Sequence, residues 1–423
     1  MSSSIENNNE TINSFSEVSS FINHSDITSF SDDTDMIDII TAMLRNTHYD
    51  TGFFIVDLSI IINQYNKWIT NLPRVKPFYA VKCNPNQNII KTLAILGAGF
   101  DCASKNEIID VLEAVNNDAS RIIFANPAKS DSHLRYARSV DVDLMTFDNE
   151  FELYKIKHIH DGAQLVLRIK VNDTFSLCKF NCKFGADMED VDKLLNIASI
   201  LELNVIGVSF HVGSGCKSAE AYEIAIRMCK EVFDKAKVKG FNLTILDIGG
   251  GFPGTEDENV SVKFEEFATV INKSLDRYFN LEEFPEEYGL RIIGEPGRYF
   301  ASAASTLVLN VIAKNRKVDK ETGIIEYAYT LSDGVYGSFN CIIFDHAKPI
   351  VKPYNERDGK LYKSRVYGPS CDSMDTIAID VQLPDLAIGE YVYLPNFGAY
   401  TIAAASTFNG FQKTPCEYII RQK

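Results

Sequence analysis

Eight short apolar runs recur between residues 78 and 294, separated by helix-length segments, and each finishes beside a group capable of chemistry. Phe78-Tyr79-Ala80-Val81 ends on Lys82, and Gly99-Phe100-Asp101-Cys102-Ala103 carries Asp101. Arg121-Ile122-Ile123-Phe124-Ala125 ends at Asn126, Leu144-Met145-Thr146-Phe147 at Asp148, and Leu165-Val166-Leu167 at Arg168. Gly207-Val208-Ser209-Phe210 ends at His211, Thr244-Ile245-Leu246-Asp247-Ile248 runs into three glycines, and Arg291-Ile292-Ile293-Gly294 ends at Glu295. Continuous apolar runs suit parallel strands, which are covered on both faces. Strands alternating with helices close into a (β/α)8 TIM-type barrel whose strand C-termini share one face. The pattern predicts an α/β chain in which these terminal residues meet in one site.

Composition narrows the class. The formal net charge of -15 gives no footprint for nucleic acid or an anionic membrane. No apolar run approaches the length of a bilayer span, and residues 1–6 lack the basic and apolar parts of a signal peptide. The nine cysteines are scattered, with no zinc spacing, and read as reduced thiols in a cytoplasmic protein. No metal site is expected.

Residues 1–34 are rich in Ser, Asn, Asp and Glu and read as a disordered tail. Residues 35–57 tighten, with Phe53–Asp57 a strand that pairs into a later domain. The barrel is expected over 58–298. Val191, Leu194, Leu195 and Ala198 mark the buried face of the helix before the sixth strand; Ala221, Ile224, Ala225 and Met228 mark that of the next. From residue 299 to 423, β-branched and aromatic runs at 305–312, 326–330, 364–367 and 390–394 predict a mostly antiparallel β domain.

Several of these residues have two readings. Lys82 is either a strand-end lysine that reaches solvent or a partly desolvated amine fit to form a Schiff base. Gly249-Gly250-Gly251 and Gly297-Arg298 are either plain turns or the phosphate site that follows the last two barrel strands. Glu295 either pairs with Arg298 or faces a ring nitrogen and keeps it protonated. His211 is either a buried, hydrogen-bonded ring or a surface for stacking a planar cofactor. In the β domain, Asp345 and Asp372 read equally well as ordinary turn aspartates.

Taken together, Tyr79-Ala80-Val81-Lys82-Cys83-Asn84, Phe100–Ser104, the His211 segment, Asp247–Gly254, Glu295-Pro296-Gly297-Arg298-Tyr299 and Cys371-Asp372 resemble the eukaryotic ornithine decarboxylase family. These are pyridoxal-phosphate enzymes on an alanine-racemase-type barrel, and the resemblance runs from about residue 35 to 420. It implies that Lys82 holds pyridoxal 5'-phosphate and that His211 stacks on its ring. Ser214, Gly250, Gly251, Pro296, Gly297, Arg298 and Tyr400 would line the cofactor and its phosphate. Glu295 would hold the pyridinium proton, with Asp101 and Arg168 in support. Tyr336, Phe344, Asp345 and Asp372 would bind the amino-acid substrate, and Cys371 would donate a proton to Cα. The resemblance further implies a homodimer with sites shared across its interface, a Lys183–Asp375 pair between subunits, and antizyme as a possible partner. Lys82, Glu295, Cys371 and Asp372 are all retained, as an active member requires.

Three positions depart from the family pattern. Phe344 stands where tyrosine is usual, Ser373 where glycine is usual, and Asn315 where a lysine pairs across the dimer with the position of Asp148. Decarboxylation of L-ornithine to putrescine, in polyamine biosynthesis, is the expected activity. Arginine or lysine as substrate, or an inactive antizyme-binding protein, are the alternatives.

Overall fold

A computed structural model describes residues 18, 27–46, 51–255, 262–355, 357 and 359–422. It divides into two compact units, residues 62–300 and residues 1–61 with 301–423. The junctions lie at 61/62 and 300/301, a few residues beyond the expected 57/58 and 298/299.

The larger unit is the expected closed barrel of eight parallel strands. In chain order they are strand 1 (Val75–Ala80), 2 (Gly99–Cys102), 3 (Ile122–Phe124), 4 (Leu144–Phe147), 5 (Gln164–Arg168), 6 (Asn204–Ser209), 7 (Ile245–Asp247) and 8 (Arg291–Gly294). Phe78, Ile123, Leu144, Val166, Ile245 and Ile293, from six different strands, pack together as one buried cluster. Register aligns the strand ends: Ala80 lies opposite Asp101, and Asp247 lies opposite both Ser209 and Ile293.

Local chemistry starts the outer helices. Asn86 caps Gln87–Ile95, Ser104 caps Lys105–Ala114 and Asn149 caps Glu150–Ile159, each accepting backbone N–H groups of the first turn. Helix Val191–Ile200 buries the four residues its periodicity singles out. Helix Glu220–Val238 differs from expectation. It buries Ala221 and Ala225 as expected, together with Tyr222, Ile226 and Cys229, whereas Ile224 is exposed and Met228 half-buried. Tyr222 explains the rotation: its hydroxyl donates to Gly250 O at 2.7 Å beneath the glycine loop, fixing which side of the helix turns inward.

The smaller unit carries a nine-stranded, mostly antiparallel sheet. Phe53–Asp57 pairs antiparallel with Ser305–Val318, as expected, and parallel with Cys416–Gln422. The expected tail over 1–34 is corrected at its end. Ile27–Ser31 forms an edge strand parallel to Cys416–Gln422, because backbone pairing needs no strong apolar pattern in the added strand. The rest of that stretch, apart from Val18 and residues 32–34, lies outside the described residues. Ile39 and Ile40 of helix Met36–Asn46 pack on Phe53, Ile55, Val308 and Ile419. Among the described residues, no helix is long and apolar enough to cross a membrane.

Candidate active site

Lys82 lies in the single 3₁₀ turn Val81–Cys83 after strand 1. Its amine forms an ion pair with Asp101 at the end of strand 2. Asp101 is 1% exposed, yet its Oδ1 has no hydrogen-bond partner. An orphaned buried oxygen of this kind costs about 1–3 kcal/mol and marks a position a ligand's polar atom would complete. Behind it, Glu107 accepts the Ala103 N–H at 2.5 Å.

Strands 7 and 8 bring a second acid pair. Gly249 N–H donates to Asp247 Oδ1 at 2.9 Å, and Glu295 N–H donates to Gly249 O at 2.7 Å. Burial pushes Asp247 up to about 7, against the pull of the Gly249 N–H and a hydrogen bond with Glu295. Burial also pushes Glu295 well above the carboxylate range, and the charges of Asp247 and Asp101 act in the same direction. Two adjoining buried carboxyl groups cannot both ionise without a cation. Among the described residues, Glu295 forms no ion pair, and the expected alternative contact with Arg298 is absent. Arg298 instead donates to Ser214 Oγ at 2.7 Å from Nη2 and 3.2 Å from Nε.

The glycines around this arginine are required by space. A side chain at Gly250 would stand 2.5 Å from Glu295 O and 3.1 Å from His211 Nε2. Gly251 has φ +110°, and a Cβ there would meet Gly213 O at 2.6 Å. At Gly297 it would press on Cys83 Cβ at 3.0 Å. Pro296 accepts the Ala80 N–H at 3.2 Å, tying the strand 8 loop to strand 1.

His211 follows strand 6. Gly213 N–H donates to its Nδ1 at 2.9 Å, so the neutral ring carries its proton on Nε2. Burial holds the imidazole well below its usual range, and the charges of Arg168 and Lys82 lower it further. A neutral, flat ring therefore stands beside two cations. Asn126 and Asp148 close loops instead: Asn126 Oδ1 accepts the Ala128 N–H at 3.3 Å, and Asp148 Oδ2 accepts the Gly185 N–H at 2.9 Å. Lys129, not singled out by the sequence, donates to Thr146 O at 2.6 Å and pairs with Glu152 at 3.0 Å. Burial lowers it to about 8, and it ties together the ends of strands 3 and 4.

The smaller unit groups the remaining candidates. Tyr336 stacks on Phe408 at 4.1 Å and donates its hydroxyl to Asp372 Oδ2 at 2.5 Å. The Met374 N–H and then this hydroxyl hold Asp372 below its ordinary range. Cys371 is exposed, its N–H donating to Asn409 Oδ1 at 3.2 Å. Asp345 is 9% exposed at the end of helix Cys341–Phe344, whereas Phe344 is 67% exposed. Tyr400 has φ +57°, a left-handed conformation costly for a non-glycine residue. Asn340 donates to Gly337 O at 2.6 Å and to Thr401 O, joining the Tyr336 segment to that of Tyr400. The Asp375 carboxylate is used within its own chain. It accepts the Val335 N–H at 2.8 Å and the Ser370 N–H at 2.9 Å, joining the loops that carry Tyr336 and Cys371. Lys183 stands over the Phe184 ring, 4.9 Å from its centroid.

The barrel residues fit pyridoxal phosphate. The Lys82 amine suits the aldehyde, and the buried Glu295, in no ion pair among the described residues, suits a protonated ring nitrogen. The glycine cradle with Ser214 and Arg298 suits the phosphate.

Comparison with known proteins agrees. The family model for the pyridoxal-dependent decarboxylase pyridoxal-binding domain matches residues 58–302. Antizyme inhibitor 2 of Xenopus laevis is 47% identical over 91% of this chain and 84% of its own. Ornithine decarboxylase of Mus musculus is 46% identical over 87% of this chain and 80% of its own. The crystal structure of the Paramecium bursaria Chlorella virus arginine decarboxylase superposes with a TM-score of 0.84 at 36% identity, covering 91% of this chain and all of that one. The chain belongs to the pyridoxal-dependent decarboxylase family, in the group that contains the eukaryotic ornithine decarboxylases, and its cofactor is pyridoxal phosphate.

Proposed function

We propose that this chain decarboxylates L-ornithine to putrescine as a cytoplasmic homodimer, each site completed by residues of the partner subunit. The observation that carries the reading is Glu295, a buried carboxyl group beside Asp247 with no cation paired to it. A protonated ring nitrogen is the partner that would make this costly arrangement useful.

Lys82 would hold the cofactor through its aldehyde, with Ser214, Arg298 and the backbone of Gly250, Gly251 and Gly297 around the phosphate. Tyr400 would contribute its hydroxyl to the same anion. When bound, the cofactor supplies an electron-withdrawing ring that accepts the electron pair left as the Cα–carboxylate bond breaks. Glu295 keeps the proton at the ring nitrogen, and neutral His211 offers a flat face without competing for that proton. Asp345 and Asp372 receive the distal ammonium, because an unpaired buried ammonium costs several kcal/mol. Cys371 Sγ delivers the proton to Cα, and Lys82 then assists release of the diamine.

The two acids suit any substrate with a distal cation, and a structural relative is an arginine decarboxylase. Ornithine is favoured by the likeness to the ornithine decarboxylase of Mus musculus, 46% identical over 87% of this chain. The likeness to an antizyme inhibitor raises a second reading, an inactive protein that binds antizyme. Retention of Lys82, Glu295, Cys371 and Asp372 argues against it. Steady-state CO2 release from ornithine, arginine and lysine tests all three. The highest kcat/KM is expected for ornithine; faster turnover of arginine or lysine overturns the substrate. A colourless protein that releases no CO2 from any of them leaves only the antizyme-binding reading.

A further inference from the structure

His211, proposed above to offer a face to the cofactor ring, and Arg168, expected to support Glu295 at that ring, are each covered by an aromatic residue from one loop, residues 172–187, which follows strand 5. Phe180 lies edge-on to His211, with ring centroids 4.9 Å apart and planes at 74°. Phe184, four residues further on, lies under the Arg168 guanidinium at 5.1 Å. The loop owes little of its position to burial of apolar surface: Phe175 is 55% exposed and Leu177 48%.

Polar contacts fasten it instead. Asp173, 7% exposed, accepts the Phe180 N–H at 2.6 Å and the Asn181 N–H at 2.9 Å through one oxygen. Asp148 accepts the Gly185 N–H at the far end. Between them, Ser176–Cys178 pairs antiparallel with Ser214–Cys216, and Ser176 Oγ donates to Val212 O at 2.6 Å. The loop is therefore tied to the segment that carries both His211 and Ser214.

We infer that Phe180 and Phe184 are positioning residues that clamp His211 and Arg168 in the orientation that receives the cofactor ring, with Asp173 as the latch of the clamp. Edge-to-face packing fixes the tilt of the imidazole, and the cation–π contact fixes the plane of the guanidinium. Each phenylalanine acts through the side chain it packs on. Without Phe180, the imidazole keeps the Gly213 N–H but loses the ring that sets its tilt, and it becomes more open to water.

This inference rests on the cofactor reading for its purpose, but its first test does not. Unloaded full-length protein is treated with diethyl pyrocarbonate, and acylation of His211 is followed by peptide mass spectrometry. Phe180→Ala and Asp173→Ala are expected to acylate His211 several-fold faster than the unsubstituted protein, with Phe180→Leu between them. Phe151→Ala, on helix Glu150–Ile159, should leave the rate unchanged. Phe180→Ala and Phe184→Ala should weaken pyridoxal-phosphate binding by up to about tenfold, with far-UV circular dichroism unchanged. Unaltered His211 reactivity in folded Phe180→Ala protein overturns the clamp. If that variant does not fold, unaltered reactivity in Phe180→Leu and Asp173→Ala does so. If the unsubstituted protein binds no cofactor, the proposed function falls, and the acylation rates still decide whether the clamp exists.

Discussion

Cys371 is the side chain whose removal should separate binding from turnover. It is exposed on a loop of the smaller unit. Cys371→Ala should lower kcat for putrescine formation by about 10²-fold or more, the usual range for a lost proton donor, while equilibrium dialysis finds cofactor affinity unchanged. Equal loss of both would contradict its role. At this scale the sequence was informative where a strand ends on an unusual residue. Lys82, Asp101, His211 and Glu295 stand out for that reason, and the structure gathers them at one end of the barrel. Asp247 lies in the same pattern but reads as a residue on the way to a glycine turn; only its position against Glu295 gives it a role. Phe180 and Phe184 read as loop aromatics, because a contact with residues 211 and 168 leaves no periodic trace.

At the scale of elements, the strand 7 and strand 8 ends should give the unloaded protein a characteristic pH dependence. Asp247 and Glu295 hold protons more tightly folded than unfolded, so the native state binds more protons between the unfolded carboxylate range, near about 4, and about 7 at Asp247. Stability must then fall as pH rises through that window. Asp247→Asn should flatten the slope, read from urea denaturation of the unloaded protein between about pH 5 and about pH 8; an unchanged slope would contradict the pairing. In the smaller unit, Asp375→Ala leaves the Val335 and Ser370 N–H groups without their acceptor. It should cost about 1–3 kcal/mol of stability by the same denaturation, and raise KM for ornithine by loosening the Tyr336 and Cys371 loops. The barrel strands were legible because parallel strands buried on both faces must be apolar throughout. The helix over 220–238 was misread by its rotation because Ile224 satisfies the period while Tyr222 makes the decisive contact. The edge strand at 27–31 was missed because its pairing is made by backbone.

At the scale of the molecule, the barrel carries Lys82 and the smaller unit carries Cys371, and the proposed dimer would complete each site from two chains. Mixing Lys82→Ala with Cys371→Ala tests this. Random exchange makes half the dimers mixed, each with one intact site of two, so about a quarter of full activity should return in a symmetric dimer. If each chain completes its own site, no activity returns. Such assembly is implied only by family resemblance, since composition and periodicity describe one chain. The most direct test of the account is the position of the cofactor. Borohydride reduction of the pyridoxal-phosphate-loaded protein, followed by peptide mass spectrometry, should find one pyridoxyl group, on Lys82. A label on another lysine, or none, would contradict the account.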